Sequence, residues 1–419
     1  MTKGFQLNFD DLLKETIVPT DDADWDILLA ANQTLFKPKA PIDNGKLFSG
    51  RIKQIQDVLD VVWEEGGHAV IFGERGVGKT SLANIIDQRV ISVISSVKSL
   101  KVSCSPGDSF FQLWSNILHD YQWDGKPVPA ILKNEKNPFV VYKILESLDS
   151  SRYHLFIFDE FDRIKNSQTT TMMADLIKHF SNNPTTLTIL IVGVGDTLID
   201  LFSSHESISR CCTQIRMQRM SPRELEDILN ERLPKLGMQI EQRVVDAVVK
   251  LSQALPGYVH LLGQLAAKSA LMEKSLLIEE RHLRAALDAA LDKADYGTRQ
   301  EYYTAVDSPA KDHLYKEVLL ACALAETNEL GLFYAGNVRE PYSKIRGRKM
   351  DIAHYATHLS EFCSDGRGPA LLKTGKPKRY QYRFANPMLQ PLVVMMGVRD
   401  KLIPLEDASL STILPLQQR

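Results

Sequence analysis

Through the first half of the chain, short unbroken apolar runs alternate with stretches whose apolar residues recur at helical spacing. That alternation predicts a parallel α/β sheet, because strands covered on both faces read as continuous apolar segments. The run His68-Ala69-Val70-Ile71-Phe72 predicts the first strand, and Ser81-Leu82-Ala83-Asn84-Ile85-Ile86 the helix that leaves it. Before them, Phe48-Ser49-Gly50-Arg51 opens a helix whose face carries Ile52, Ile55, Val58, Leu59 and Val62. Residues 100–104 read as a second strand, 110–114 as the start of a helix, and 127–138 as a polar loop marked by prolines. A helical pattern follows at 140–148, then strands at 154–158, 187–194 and 213–217, with a short helix at 198–202.

The second half reads differently. Ser221-Pro222-Arg223-Glu224 is a capping box with proline at the first helical position, and residues 221–293 then repeat apolar residues at helical spacing, broken at Leu255-Pro256-Gly257. A polar linker is expected at 294–310, and helices at 314–325, 334–345 and 352–362. Two alternating runs, 370–373 and 380–384, bracket Thr374-Gly375-Lys376-Pro377-Lys378-Arg379 and predict a hairpin with a basic tip. Three helices followed by such a hairpin have the order of a winged helix-turn-helix. The expected organisation is an N-terminal arm (1–45) with a short amphipathic piece around Phe9 to Leu13, an α/β core (46–220), a helical lid (221–293), the linker, a winged-helix-like domain (311–403) and a tail (404–419).

Composition narrows the partners. The 419 residues are 44% apolar and 24% charged with a net charge of −2, which excludes a polycation that coats nucleic acid by bulk charge and leaves only a local basic surface. Five cysteines, Cys104, Cys211, Cys212, Cys322 and Cys363, lack the paired spacing of zinc sites and read as thiols of a reducing compartment. No run is long enough to cross a bilayer, and no leader is apparent, so a cytoplasmic protein without a membrane partner is expected.

Chemistry concentrates at two strand ends. Gly73-Glu74-Arg75-Gly76-Val77-Gly78-Lys79-Thr80 fills every position of G-x-x-x-x-G-K-[ST], between a strand and a helix. Its glycines let backbone N–H groups turn toward phosphates, and the helix N-terminus that continues through Ser81 adds a positive dipole end. Lys79 reaches the terminal phosphates, and Thr80 holds a magnesium ion. The strand 154–158 ends in Asp159-Glu160, where open α/β sheets place their ligands. Asp159 is expected to hold magnesium and Glu160 to polarise the water that attacks the γ-phosphate. At the tip of the strand 187–194, Asp196 or Thr197 either touches that phosphate or water, or caps the next helix.

In this order the motifs resemble an AAA+ ATPase of the initiator clade, the group of origin-recognition and archaeal initiator ATPases, over residues 47–403. The resemblance rests on residues 73–80 and 156–160, the strand tip at Asp196, Arg210, the helical lid and the winged-helix-like end. It implies ATP and Mg2+ as cofactors, and Arg210 as an arginine finger inserted into a neighbouring subunit's site; the alternative for Arg210 is a surface arginine paired with a carboxylate. Asp196 stands where the family's sensor is usually asparagine. His260 stands in G-x-x-H where the family's lid sensor has G-x-x-R, so His260 is either a nucleotide contact or a core histidine. These departures favour a slow switch over a rapid motor.

The hairpin tip and Lys344-Ile345-Arg346-Gly347-Arg348-Lys349 could hold DNA phosphates, or be a solvated face; the third helix offers only His354, Thr357 and His358 to base edges. The function expected is an ATP-hydrolysing switch whose nucleotide state controls self-association and the docking of duplex DNA or a protein. Two alternatives stay open: a transposition-regulator ATPase forming filaments on DNA, and a STAND-type antiviral-defence or signalling ATPase acting on an effector protein in trans.

Overall fold

The computed structural model describes residues 19–43, 45–93, 97–195, 201–202, 206–308, 314–328, 330–377 and 379–405. The amphipathic piece near the N-terminus, Asp196 and Thr197, and the tail beyond 405 lie outside these. The chain forms two compact units. One spans Pro41–Gln218, and the other joins the residues up to Ala40 with those from Arg219 onward. Helix α1 (Asp22–Leu35) belongs to the second.

The first unit is the α/β sheet. Its elements run α2 (Ile52–Trp63), β1 (Ala69–Gly73), α3 (Lys79–Val93), β2 (Val97–Ser103), α4 (Phe110–Ile117), α5 (Val128–Leu132), α6 (Phe139–Glu146), β3 (Tyr153–Asp159), α7 (Ser167–Asn182), β4 (Leu187–Val194) and β5 (Thr213–Arg216). The strands pair in the order β2-β3-β4-β1-β5, every pair parallel. Every residue of β1 is buried, as are all but the first of β3 and all but the last of β4, which is why these segments read as unbroken apolar runs. Trp114 on α4 anchors one face, edge-on to Phe156 and Phe158 at centroid distances of 5.4 and 5.1 Å. That helix is held at its start by a capping box in which Ser109 and Gln112 exchange side-chain bonds with backbone N–H groups. Two expectations change here. The proline-marked stretch contains α5, whose Val128 and Leu132 are buried, and Ile52 of α2 is exposed rather than on the buried face.

The second unit is mainly helical: α1, α8 (Pro222–Arg232), α9 (Gln242–Leu251), α10 (Pro256–Met272), α11 (Glu280–Lys293), α12 (Tyr296–Val306), α13 (Tyr315–Ala323), α14 (Arg339–Arg346), α15 (Ala356–Glu361) and α16 (Leu389–Arg399). A small antiparallel sheet, β6 (Phe333–Tyr334), β7 (Leu371–Thr374) and β8 (Gln381–Phe384), has β8 in the centre. The capping box at Ser221 and Glu224 forms as expected.

The N-terminal arm is helical over α1, ahead of the proline-containing stretch 36–41, which is neither helix nor strand, and the arm is stitched to α10. Asn32 Nδ2 donates to the Gln264 carbonyl at 2.9 Å, and Gln264 Nε2 donates to the Phe36 carbonyl at 3.0 Å. The expected linker at 294–310 contains α12, started by an Asp295 cap and burying Tyr302, Ala305 and Val306. Helix α16, which no sequence pattern singled out, is buried along most of its length. Its Gln390 donates to the Ala323 carbonyl at 2.8 Å and accepts from Arg219, so the lid segment and the C-terminal segment share one core.

Candidate functional site

The loop between β1 and α3 sits at the carboxyl edge of the sheet, and β4 separates it from the end of β3. Two strand spacings, about 10 Å, therefore divide the loop strand from the acidic strand, a gap that side chains from both can bridge. Gly73 has φ +154, and a Cβ there would lie 2.3 Å from the Met217 carbonyl oxygen, so only glycine lets the chain leave β1 beside the segment after β5. Gly78 has φ +96 with open space around it, so its requirement is purely conformational.

Lys79 is buried. Its Nζ donates to the carbonyls of Gly73 at 2.9 Å and Glu74 at 2.8 Å, which folds the side chain along the loop. Burial pulls its pKa down to about 8, against the opposing charges of Asp162, Asp159 and Glu74. Arg75 is exposed, Val77 is buried, and Ser81 Oγ accepts the Ile42 N–H at 3.0 Å.

Thr80 meets the acidic strand directly: its Oγ1 donates to Asp159 Oδ1 at 3.3 Å. Asp159 is buried, and its Oδ1 also accepts the Glu160 N–H at 2.9 Å. Its Oδ2 lies 2.9 Å from Lys101 Nζ, an ion pair without the angle of a directed hydrogen bond, so this buried oxygen has no hydrogen-bond partner. A hydroxyl beside a buried carboxylate, whose second oxygen already faces the Lys101 ammonium, supplies the hard oxygen ligands magnesium takes.

Glu160 follows in left-handed conformation, φ +57, which costs a non-glycine residue of the order of 1 kcal/mol and is a mark of functional sites. Its carboxylate accepts from Arg163 Nη1 at 2.8 Å, and both side chains are about half exposed. Asp162 Oδ1 accepts the Val194 N–H at 2.7 Å and ties the end of β3 to the end of β4.

The structure thus brings Thr80 and Asp159 into contact with Lys79 within reach of the Asp159 charge, while Glu160 follows Asp159 in the chain but turns its carboxylate onto Arg163. It places Arg210 on an exposed short turn, Glu206–Arg210, just before β5. His260 is a different matter: in the second unit it is buried within the helical core, edge-on to Phe36 at 6.0 Å, and burial, aided by Arg232, pulls its pKa down to about 3. Shut away and neutral, it has the surroundings of a core histidine, which counts against the expected nucleotide contact.

Sequence reasoning missed three residues. Arg51, also left-handed at φ +60, donates through Nη2 to the Val77 and Gln218 carbonyls and so braces the phosphate loop against the exit of β5. Lys101 and Arg163 pair with the two acids. Only the i, i+3 spacing of Glu160 and Arg163 was available in the sequence as a signal; the others depend on strand order.

The C-terminal basic residues are partly engaged. Lys344 pairs with Glu340 at 3.2 Å and Arg346 with Glu317 at 3.3 Å. Of the three polar residues expected to face bases, His358 packs on the Tyr315 ring at 4.9 Å and His354 takes part in a capping box with Asp351. Thr357 is exposed.

The family model described as an AAA domain matches residues 63–202. No curated protein matches the chain. Among solved structures the chain is similar to the Walker-type ATPase PABY2304 of Pyrococcus abyssi, with a TM-score of 0.53 and 14% identity over 86% of this chain and 99% of that one. It is also similar to the Aeropyrum pernix ORC2 protein, with a TM-score of 0.49 and 16% identity over 88% of this chain and 98% of that one. Among the described residues no helix is long and apolar enough to cross a membrane. With a glycine-rich loop after β1, two acids at the end of β3 and β4 between them, the sheet unit has a parallel α/β P-loop fold, and residues 63–202 within it are similar to the AAA domain.

Proposed function

We propose that the protein is an ATP- and magnesium-dependent switch of the initiator type, whose nucleotide state controls self-association and the docking of a partner. The observation that carries this reading is the meeting of Thr80 and Asp159 across the strand gap, beside Lys79 and Glu160. In this reading Lys79 and the loop N–H groups of residues 73–80 hold the β- and γ-phosphates, while Thr80 and Asp159 hold the metal. Magnesium would neutralise charge between the phosphates. Glu160, once released from Arg163, orients and polarises the attacking water. Arg210 is exposed on its turn and available to a neighbouring subunit, where it would complete the transition-state charge.

The test is assembly. Mass photometry and electron microscopy of the wild type and of Glu160→Gln are compared with and without an ATP analogue, with and without duplex DNA. A larger assembly with the analogue is expected; an unchanged mass under every condition sinks the switch.

In the second unit, the sequence α13, β6, α14, α15, β7, β8 supports a winged-helix reading, with Lys376 and Arg379 flanking the hairpin tip as phosphate contacts. A protein partner, as in a STAND-type ATPase, is the second reading. It is favoured by the ion pairs that occupy Lys344 and Arg346 and by the inward packing of His358. Salt-dependent duplex DNA affinity separates the two: a steep fall in binding with salt supports DNA, and no binding at low salt supports a protein.

A further inference from the structure

Lys101 lies on β2, two residues before the strand's tip, and its register partner is Ile157 on β3. A lysine in this position is costly, since its side chain is only 17% exposed and a buried ammonium needs a compensating charge. It has one. The ammonium stands 2.9 Å from Asp159 Oδ2 and also donates to Asn84 Oδ1 on α3. Asn84 Nδ2 in turn donates to the Ile42 carbonyl at 3.5 Å, so the amide that receives the lysine is itself oriented. The other oxygen of Asp159 is held by Thr80 Oγ1 and the Glu160 N–H.

The acid that the reading above gives to magnesium is therefore already neutralised from within the chain. A carboxylate whose charge is matched by a lysine attracts a divalent cation less than a free one, and the cation must displace the ammonium. Asn84 gives the displaced ammonium a second partner that is already in contact, so the exchange needs a small side-chain movement rather than a broken strand.

We infer that Lys101 is an internal counter-cation that competes with magnesium for Asp159, so that this site binds nucleotide with little help from the metal. The inference rests on the reading of residues 73–80 as an ATP site. It concerns how strongly metal and nucleotide bindings are coupled, which is a thermodynamic ratio and reciprocal between the two ligands.

The experiment measures ATP and ADP dissociation constants of the full chain in EDTA and in excess Mg2+, by titration of a fluorescent nucleotide. The wild type is expected to gain no more than about threefold from Mg2+, and Lys101→Met, which keeps length and removes charge, about tenfold or more. Lys101→Arg, which keeps the charge, should stay near the wild type. The inference is overturned if Mg2+ tightens wild-type binding by more than about 30-fold, a result that needs no variant to fold. It is equally overturned if Lys101→Met loses thermal stability while its metal coupling matches the wild type, because Lys101 is then a structural neutraliser only. Absence of nucleotide binding in both conditions would remove the ATP reading along with it, whereas binding with unchanged coupling removes this inference alone.

Discussion

Glu160 joins an uncommon backbone conformation to an arginine partner, and both features bear on what its removal should do. The carboxylate lies on Arg163 rather than against the loop, so changing it should spare nucleotide affinity and strike hydrolysis. Glu160→Gln is expected to lower phosphate release by about 10²-fold or more, the range of general-base removal, with affinity changed less than about threefold. Matched losses of affinity and rate would point to a binding role instead.

His68, at the entrance to β1, gives a pH prediction. Its Nδ1 accepts the Ile189 N–H at 3.1 Å, and burial pulls its pKa down to about 4 from 6.5. The folded state disfavours the proton, so this stability, of the order of 3 kcal/mol, is fully present above pH 6.5 and is lost as pH falls toward 4. Denaturation midpoints at pH 7 and pH 5 should differ more in the wild type than in His68→Gln, and equal pH sensitivity would exclude this histidine as the source. At this scale the sequence disclosed the residues whose chemistry is local: Gly73, Gly78, Lys79, Thr80, Asp159 and Glu160 all sit within contiguous motifs. Arg51, Lys101 and the burial of His260 stayed hidden, because their partners at Gln218, Asp159 and Phe36 are brought near only by the fold.

Among elements, the packing of α1 on α10 is sensitive to substitution at Gly263. A Cβ on Gly263 would come 2.8 Å from Phe36 Cε1 and 2.7 Å from Leu229 Cδ2, both closer than packed carbons tolerate. Gly263→Ala should destabilise the protein by about 1–3 kcal/mol, the usual cost of overfilling a packed site. Thermal denaturation checks it, and an unshifted midpoint would mean that both neighbours move aside freely.

The buried strands were legible because nothing but apolar residues occupies β1, β3 and β4 for several positions. Helix α1 was not: Asp22, Asp24 and Asp26 crowd its start, and Pro38 and Pro41 just beyond it dominate the local reading. Helix α12 looked like linker because its buried positions are few among Gly297, Thr298, Arg299 and Gln300.

For the whole molecule, the sharpest prediction concerns Arg210. If it acts on a neighbour, Arg210→Ala should bind nucleotide normally yet hydrolyse about 10³-fold more slowly. Mixing it with Glu160→Gln should restore activity, since one variant keeps the acid and the other the arginine. Phosphate release by the mixture that never exceeds the sum of the two would place Arg210 outside any shared site.

The split of the helical unit around the sheet also dictates an order of events at the ribosome. Helix α1 emerges before the sheet unit, but its partners Gln264 and Arg232 are translated some two hundred residues later. The sheet unit can complete itself in the interval as one closed excursion of the chain, while α1 stays unmatched and free to be held by a chaperone. Pulse-labelled nascent chains released before α10 is made should therefore contain a protease-resistant sheet unit and a cleavable α1, and protection of α1 should appear only once α10 has left the exit tunnel.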